Sequence, residues 1–270
     1  MNKKVYAVSD LHGCGNVTNK ILNYLNPDDT LYFLGDAIDR GPDGVEVLQM
    51  LLEDPRVIFL KGNHEELMED ALPYIIKEMK NINYYGGNMY EHWYDNGGKP
   101  TRDSLWNLTI KEIEEIQKTI EYLPLKATYY SPLGHKVILE HAGYTPGPQW
   151  RKHNPLWDRE HFHDKWNYKF KDNTFELCND LDNFNNTYLV HGHTPVQYLR
   201  FMSGYINQTP LTKEEMKIKH TWYLNEVKYK PEVIRYCDGH KFDIDMCTVA
   251  SGRAALLDLD TFEVTYIDED

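Results

Sequence analysis

"LYFLGDAIDRG" runs from Leu31 to Gly41. Its opening residues, Leu31–Leu34, form an apolar run too short for a helix and right for a short strand buried on both faces. Gly35 ends the run, and Asp36, Asp39, Arg40 and Gly41 follow at once. In an open α/β sheet, the loop beyond a strand's carboxyl end is where ligands bind. The same arrangement stands on either side. Upstream, Lys4–Val8 leads to Asp10-Leu11-His12-Gly13; downstream, Val57–Leu60 leads to Lys61-Gly62-Asn63-His64-Glu65. Asn16–Leu25, Val45–Leu52 and Leu67–Met79 repeat apolar residues at helical spacing. A strand–helix unit repeated three times predicts parallel βαβ connections.

Further along, "LEHAGYTP" (Leu139–Pro146) and "VHGHTPV" (Val190–Val196) set His141, His191 and His193 beside small residues after short apolar runs. Lys126–Tyr130 and Lys136–Glu140 flank Ser-Pro-Leu-Gly-His and predict a β-hairpin. With strands expected at Tyr188–His191, Phe242–Asp245 and Ala254–Leu259, a second sheet follows. Thr109–Leu123 predicts a helix: Thr109 and Glu112 form a capping box, and Ile110, Ile113, Ile116, Ile120 and Leu123 form its apolar face. Tyr84–Lys99, rich in Tyr, Asn and Gly, reads as loop. Arg200–Asp243 is mixed in pattern, with a helical stretch near Thr212–Lys219, and residues 200–241 read as an insertion or lid. No repeat or linker-like run divides the chain, so residues 1–270 read as one domain.

Bulk properties narrow the function. Of 270 residues, 41% are hydrophobic and 26% charged, a globular composition. No apolar run reaches membrane-spanning length. The apolar stretch ending at Val8 is too short for a signal-peptide core, so a cytoplasmic location is expected. A net charge of −13 argues against general nucleic-acid binding, which rewards basic surfaces. Converging carboxylates would instead hold divalent cations. Cys14, Cys178, Cys237 and Cys247 form no C-x-x-C pair and read as ordinary thiols.

The strand-end residues form a carboxylate–imidazole set with one carboxamide and no thiolate. Such donors suit Mn²⁺, Fe²⁺ or Zn²⁺. D-x-H-G, G-D-x-x-D-R-G and G-N-H-E, in this order, resemble the signature of the calcineurin-like metallophosphoesterases. The arginine of the second motif points to the phosphoprotein phosphatase family. "NGG" (Asn96–Gly98), "HAGY", "LWDRE" (Leu156–Glu160), "HGHTPV" and "FDIDMCTV" (Phe242–Val249) bring the pattern nearest to its bacterial and lambda-type Ser/Thr members. The resemblance covers most of the chain and is weakest over Arg200–Lys241. It implies a four-layer α/β fold, with two mixed β-sheets packed as a sandwich flanked by helices and a metal site at the strands' C-terminal ends. It places Asp10, His12 and Asp36 on one divalent ion and Asp36, Asn63, His141 and His193 on a second, manganese being favoured over iron or zinc. It makes His64 the proton donor to the leaving group, Asp39 the residue that orients it, and Arg40 and Arg159 the phosphate clamps. The implied reaction is hydrolysis of phosphoserine or phosphothreonine in proteins, with phosphotyrosine as an extension, by a hydroxide bridging the two ions.

Other readings stay open at this level. A symmetrical dinucleoside polyphosphate hydrolase or a phosphodiesterase uses the same fold, so a phosphoprotein, a phosphopeptide or a small phosphoester could be the substrate. A silent metal-binding module would be expected to lack His64, Asp39 or a ligand, and all are present. His191 would share a strand face with His193 and could be a ligand or lie behind one. Asp245 reads as a structural partner. His153, His161 and His163 could form a third metal site or a solvated loop. Trp93 and Tyr94 could line a substrate groove or simply pack. Lys61 stands where the family often has arginine, and Cys247 where the phage-like pattern has glycine; both bear on the shape of the groove.

Overall fold

The computed structural model describes residues 3–82, 88–143, 154–159, 186–197, 205–206, 209–210, 230–236 and 239–270. Its elements begin with three strand–helix units: β1 (Val5–Val8), α1 (Gly15–Tyr24), β2 (Thr30–Phe33), α2 (Gly44–Glu53), β3 (Val57–Phe59) and α3 (Asn63–Met79). Next come α4 (Asn88–Trp93), a π-helical turn (Tyr94–Gly98), α5 (Lys99–Leu105) and α6 (Ile110–Glu121). The second half holds β4 (Lys126–Tyr130), β5 (Lys136–Glu140), β6 (Thr187–His191), β7 (Tyr205–Ile206), β8 (Thr209–Pro210), β9 (Ile234–Tyr236) and β10 (Lys241–Asp243). It closes with α7 (Thr248–Ser251), β11 (Arg253–Asp258) and β12 (Val264–Asp268).

Two mixed sheets result. The first has the order β12-β11-β1-β2-β3, and the second β4-β5-β6-β10-β9. β1–β2 and β2–β3 are parallel, as the strand–helix pattern predicts, whereas β11 joins β1 antiparallel. β5, β6 and β10 are mutually parallel, and the predicted hairpin β4–β5 is antiparallel.

Alternation along β1 shows why its run is apolar throughout. Tyr6 and Val8 join a core with Ile21 of α1, Leu48 of α2, Met68 and Leu72 of α3, and Ile113, Ile116 and Ile120 of α6. Val5 and Ala7 face the other way and meet Val137, Leu139, Val190 and Phe242 of the second sheet. The sheets therefore pack face to face, with helices over the first. Burying each large aliphatic chain contributes about 1.5–3 kcal/mol, so these two layers outweigh local propensity in fixing the short strands. The capping box of α6 is formed: Glu112 donates its N–H to Thr109 Oγ1 at 3.3 Å and accepts the Thr109 N–H at 2.7 Å.

Three expectations change. The described part of Tyr84–Lys99 is helical rather than loop; Gly97, at φ 102°, kinks it and breaks the period on which a helix assignment rests. α3 starts at Asn63, ahead of the apolar period, because Glu65 turns back to accept the Gly62 N–H at 2.8 Å. β9 lies within the 200–241 stretch read as an insertion, yet it forms an edge of the second sheet. The helical stretch expected at Thr212–Lys219 lies outside the described residues. Among the described residues, no helix is long and apolar enough to cross a membrane.

Candidate metal centre and active site

The loops beyond β1, β2 and β6 hold six non-glycine residues in the left-handed region: Asp10, His12, Asp36, Asp39, Arg40 and His193. Such conformations cost about 1–3 kcal/mol each and persist only where their surroundings over-determine them. Here the first two loops are laced together. Asp10 N–H donates to Gly35 O at 3.0 Å, His12 N–H to Asp36 O at 2.9 Å, and Gly13 N–H to Ala37 O at 2.7 Å. A side chain on Gly35 would collide with the backbone of Gly62 in the third loop. Glu65, fully buried, binds the second and third loops together. Its carboxylate accepts the N–H groups of Asp36, Ala37 and Gly62, each at 2.8 Å. Burial raises its pKa to about 7 against the pull of those three donors.

Asp36 lies at the centre. Its Oδ2 is 3.5 Å from His12 Nε2, and its Oδ1 is 3.5 Å from His141 Nε2. Donor atoms of His12, Asp36 and His64 lie within 4.8 Å of one another, as do those of Asp36, His141 and His193. Asp36 is common to both groups. Asn63 Oδ1 is 2.8 Å from both His141 Nε2 and His193 Nδ1.

Proton counting tests whether these donors fit cations. A neutral imidazole has a single N–H. His141 Nδ1 must spend it on Leu34 O at 2.8 Å, and His12 Nδ1 on Ile38 O at 2.8 Å. Each Nε2 then carries a lone pair 3.5 Å from an Asp36 oxygen, and that of His12 also receives Arg40. His193 Nε2 is buried with no hydrogen-bond partner among the described residues. Burial holds His12 and His193 well below the usual imidazole pKa and also lowers His141, so the rings are neutral, the form that binds metals. Burial, then Asp10 and Glu65, pushes Asp36 well above the usual carboxylate range. Lone pairs and carboxylate oxygens facing one another in a dry site fit divalent cations. Asp10 Oδ2 accepts the His193 N–H at 3.0 Å; the tight group on the His12 side consists of His12, Asp36 and His64.

Beside this centre, His64 Nδ1 donates to Asp39 Oδ2 at 2.7 Å, both side chains being buried. Arg40 donates to His64 Nε2 at 2.9 Å and to His12 Nε2 at 2.7 Å. Burial first, then the charge of Arg40, holds His64 well below its usual pKa. Burial lifts Asp39 to about 7, opposed by hydrogen bonds from Thr101 and Trp93. Arg159 comes next to the His193 loop, its Nε donating to Thr194 Oγ1 at 3.1 Å.

Other expectations resolve. His191 turns from Asn63 toward Tyr236: its Nε2 is 2.7 Å from the Tyr236 hydroxyl and its Nδ1 is 3.1 Å from Gly192 O. Asp245 holds the turn after β10 by accepting the Cys247 N–H at 2.7 Å. Trp93 is fully buried, whereas Tyr94 lines an open groove with Tyr90, Glu91, Asp95 and Arg102. Lys61 pairs with Glu69 at 2.7 Å. His153, His161 and His163 lie outside the described residues. The sequence shows Glu65 only as the last residue of G-N-H-E, with no role attached, and carries no signal for Thr101.

The arrangement of three loops around one aspartate has counterparts. Residues 3–233 match the family model for calcineurin-like phosphoesterases. The chain belongs to that family. The family is dimetal-dependent, and the chain is a phosphoester hydrolase. Serine/threonine-protein phosphatase 2 of Salmonella typhimurium is 31% identical over 166 residues, spanning 58% of this chain and 69% of its own. The symmetrical bis(5'-nucleosyl)-tetraphosphatase of Erwinia tasmaniensis is 28% identical over 149 residues, spanning 54% of this chain and 45% of its own. Among solved structures, one described as a diadenosine tetraphosphatase superposes with a TM-score of 0.54 at 15% identity, covering 99% of this chain and 94% of that one. At that identity the likeness speaks for the phosphoesterase fold alone.

Proposed function

We propose that this phosphoesterase removes phosphate from serine and threonine side chains of proteins. The observation that carries the reading is the buried His64–Asp39 pair set against two cation-ready groups that share Asp36. Asp10, His12 and Asp36 would hold one ion, and Asp36, Asn63, His141 and His193 the other. The oxygen and nitrogen donors favour manganese, with iron or zinc as the next choices. Two such ions, when bound, acidify a water and draw charge from the phosphoryl oxygens.

The chain's own groups do the rest. Arg40 and Arg159 present planar forks suited to a phosphate. A phosphate drawing Arg40 toward itself would free His64 Nε2 to carry a proton. The alkoxide of serine is a strong base, and His64, fixed at Nδ1 by Asp39, is placed to protonate it. Residues 1–270 are taken as one catalytic domain. The protein substrate is supported by the Salmonella phosphatase, of which the match spans 69%.

The second reading, cleavage of dinucleoside tetraphosphates, draws on the Erwinia relative. A panel of phosphoserine and phosphotyrosine peptides, diadenosine tetraphosphate and bis-p-nitrophenyl phosphate, run with Mn²⁺, separates the two. Fastest turnover is expected on phosphoserine; faster cleavage of diadenosine tetraphosphate would overturn the protein-phosphatase reading. Elemental analysis of active enzyme should find two ions and no more, and a fully active preparation with one ion would rule out the paired site.

A further inference from the structure

One segment, Trp93 to Thr101, wraps the corner formed by Asp39 and Arg40 and grips it at three points. Thr101 Oγ1 accepts the Asp39 N–H at 2.8 Å. Gly97 O accepts the Arg40 N–H at 2.9 Å. Trp93 Nε1 donates to Asp39 Oδ2 at 2.8 Å, the same oxygen that receives His64 Nδ1–H. The segment is the kinked turn Tyr94–Gly98 with its flanks, where Gly97, at φ 102°, parts two helices. Its glycines are demanded by the grip. A Cβ on Gly97 would stand 2.9 Å from Arg40 Cγ, and one on Gly98 would stand 2.6 Å from Trp93 Cε2.

We propose that Trp93 is a positioning residue for the reaction: its indole N–H fixes the Asp39 carboxylate and, through it, the ring of His64. This rests on the reading of His64 as the proton donor. A buried indole needs some acceptor, so the hydrogen bond by itself would be unremarkable. The choice of acceptor is what matters. Among the described residues the buried Asp39 Oδ1 has no hydrogen-bond partner, whereas Oδ2 receives both His64 and Trp93. Without the indole N–H, Oδ2 would lose one of the two donors that meet on it, and the His64–Asp39 pair would be held less firmly. Phenylalanine would fill most of the space but would not hold the carboxylate.

The test uses the metal-loaded enzyme with two substrates. Trp93→Phe should lower kcat on a phosphoserine peptide about tenfold, a fraction of what full loss of an acid would cost. KM should stay within about twofold. On p-nitrophenyl phosphate, whose leaving group departs without a proton, kcat should fall by less than about threefold. Adding Trp93→Phe to Asp39→Asn should slow the enzyme no further, since both act through one carboxylate. If the phenylalanine variant does not fold, 3-benzothienylalanine at position 93 keeps the bicyclic outline, puts sulfur in place of N–H, and should give the same pattern. Equal slowing on both substrates, or additive losses with Asp39→Asn, would overturn the role of Trp93. His64→Asn, run alongside, separates the two layers of the argument. If it shows leaving-group dependence and the position-93 variants do not, only the Trp93 inference falls. If it shows none, the reading of His64 falls too and takes the inference with it.

Discussion

The two sheets meet at one site but hold their residues there differently. The first sheet sends Asp10, His12, Asp36, Asp39, Arg40, Asn63 and His64 from the ends of three adjacent parallel strands. Backbone hydrogen bonds tie its first two loops, and the Glu65 carboxylate ties the second to the third. The second sheet sends His141 and His193, and these lean on the first. His141 donates to Leu34 O, and the backbone N–H of His193 is held by Asp10. The first sheet therefore sets the geometry and the second closes it. Damage on the first sheet should spread through the site, whereas damage on the second should stay local.

Asp36→Asn is the severest test of that asymmetry. As the carboxylate common to both groups, Asp36 should be needed for both ions. Several kcal/mol of charge stabilisation would go with them, a loss on the order of 10³-fold in kcat. Asp10→Asn should lose one ion and less activity. Elemental analysis beside kinetics decides; wild-type metal content in Asp36→Asn would end the bridging assignment.

His64→Asn separates chemistry from metal binding within the first sheet. Phosphoserine-peptide turnover should fall about 10²–10⁴-fold, the span of general acid catalysis, and p-nitrophenyl phosphate turnover distinctly less. Both ions should stay. Equal slowing on the two substrates would instead make His64 a group that orients the phosphate or the attacking water.

Glu65→Gln should show how far the loops depend on one another. A carboxamide has a single acceptor oxygen, so at least one of the N–H groups of Asp36, Ala37 and Gly62 would lose its partner. A buried orphan donor costs about 1–3 kcal/mol, which urea unfolding of the metal-free protein would register. A midpoint unchanged from wild type would mean that the backbone ladder alone holds the loops.

The sequence exposes the two halves unequally, for the same reason. In the first sheet each strand is followed at once by its chemistry, and the helices between are amphipathic. Periodicity and loop residues together therefore place Asp10, Asp36 and Asn63 at neighbouring strand ends. In the second sheet long connections separate β5 from β6 and β6 from β9, and β9 emerges from a stretch that reads as an insertion. Nothing local tells which strand His191 will face. The helical segment from Asn88 to Leu105 hides for another reason: Gly97 and Gly98 read as loop, and the forces that make the turn are the buried Trp93 ring and its bond to Asp39. Glu65 is visible only as the last residue of G-N-H-E, because its contacts to Asp36 and Ala37 span a loop that exists only in the fold.

The smallest effect expected of a site-proximal change is that of His191→Phe, and it bears on the second sheet's claim to local damage. His191 and His193 flank one glycine, yet they are used differently. His193 points its Nδ1 at Asn63, and its Nε2 has no partner among the described residues, whereas His191 gives its Nε2 to the Tyr236 hydroxyl. Burial drives the His191 pKa down to about 3, so the ring is neutral near pH 7 and its replacement removes no charge. Phenylalanine would keep the apolar bulk and remove one hydrogen bond of the Tyr236 hydroxyl, a cost of about 0.5–1.5 kcal/mol in stability. Both ions and most of the activity should persist, with kcat within about threefold of wild type, as befits a residue outside the reaction. His193→Phe should by contrast lose one ion and keep the other. Loss of a metal ion from His191→Phe would show that His191 reaches the centre when the site is loaded, and that the second sheet shares in setting the geometry.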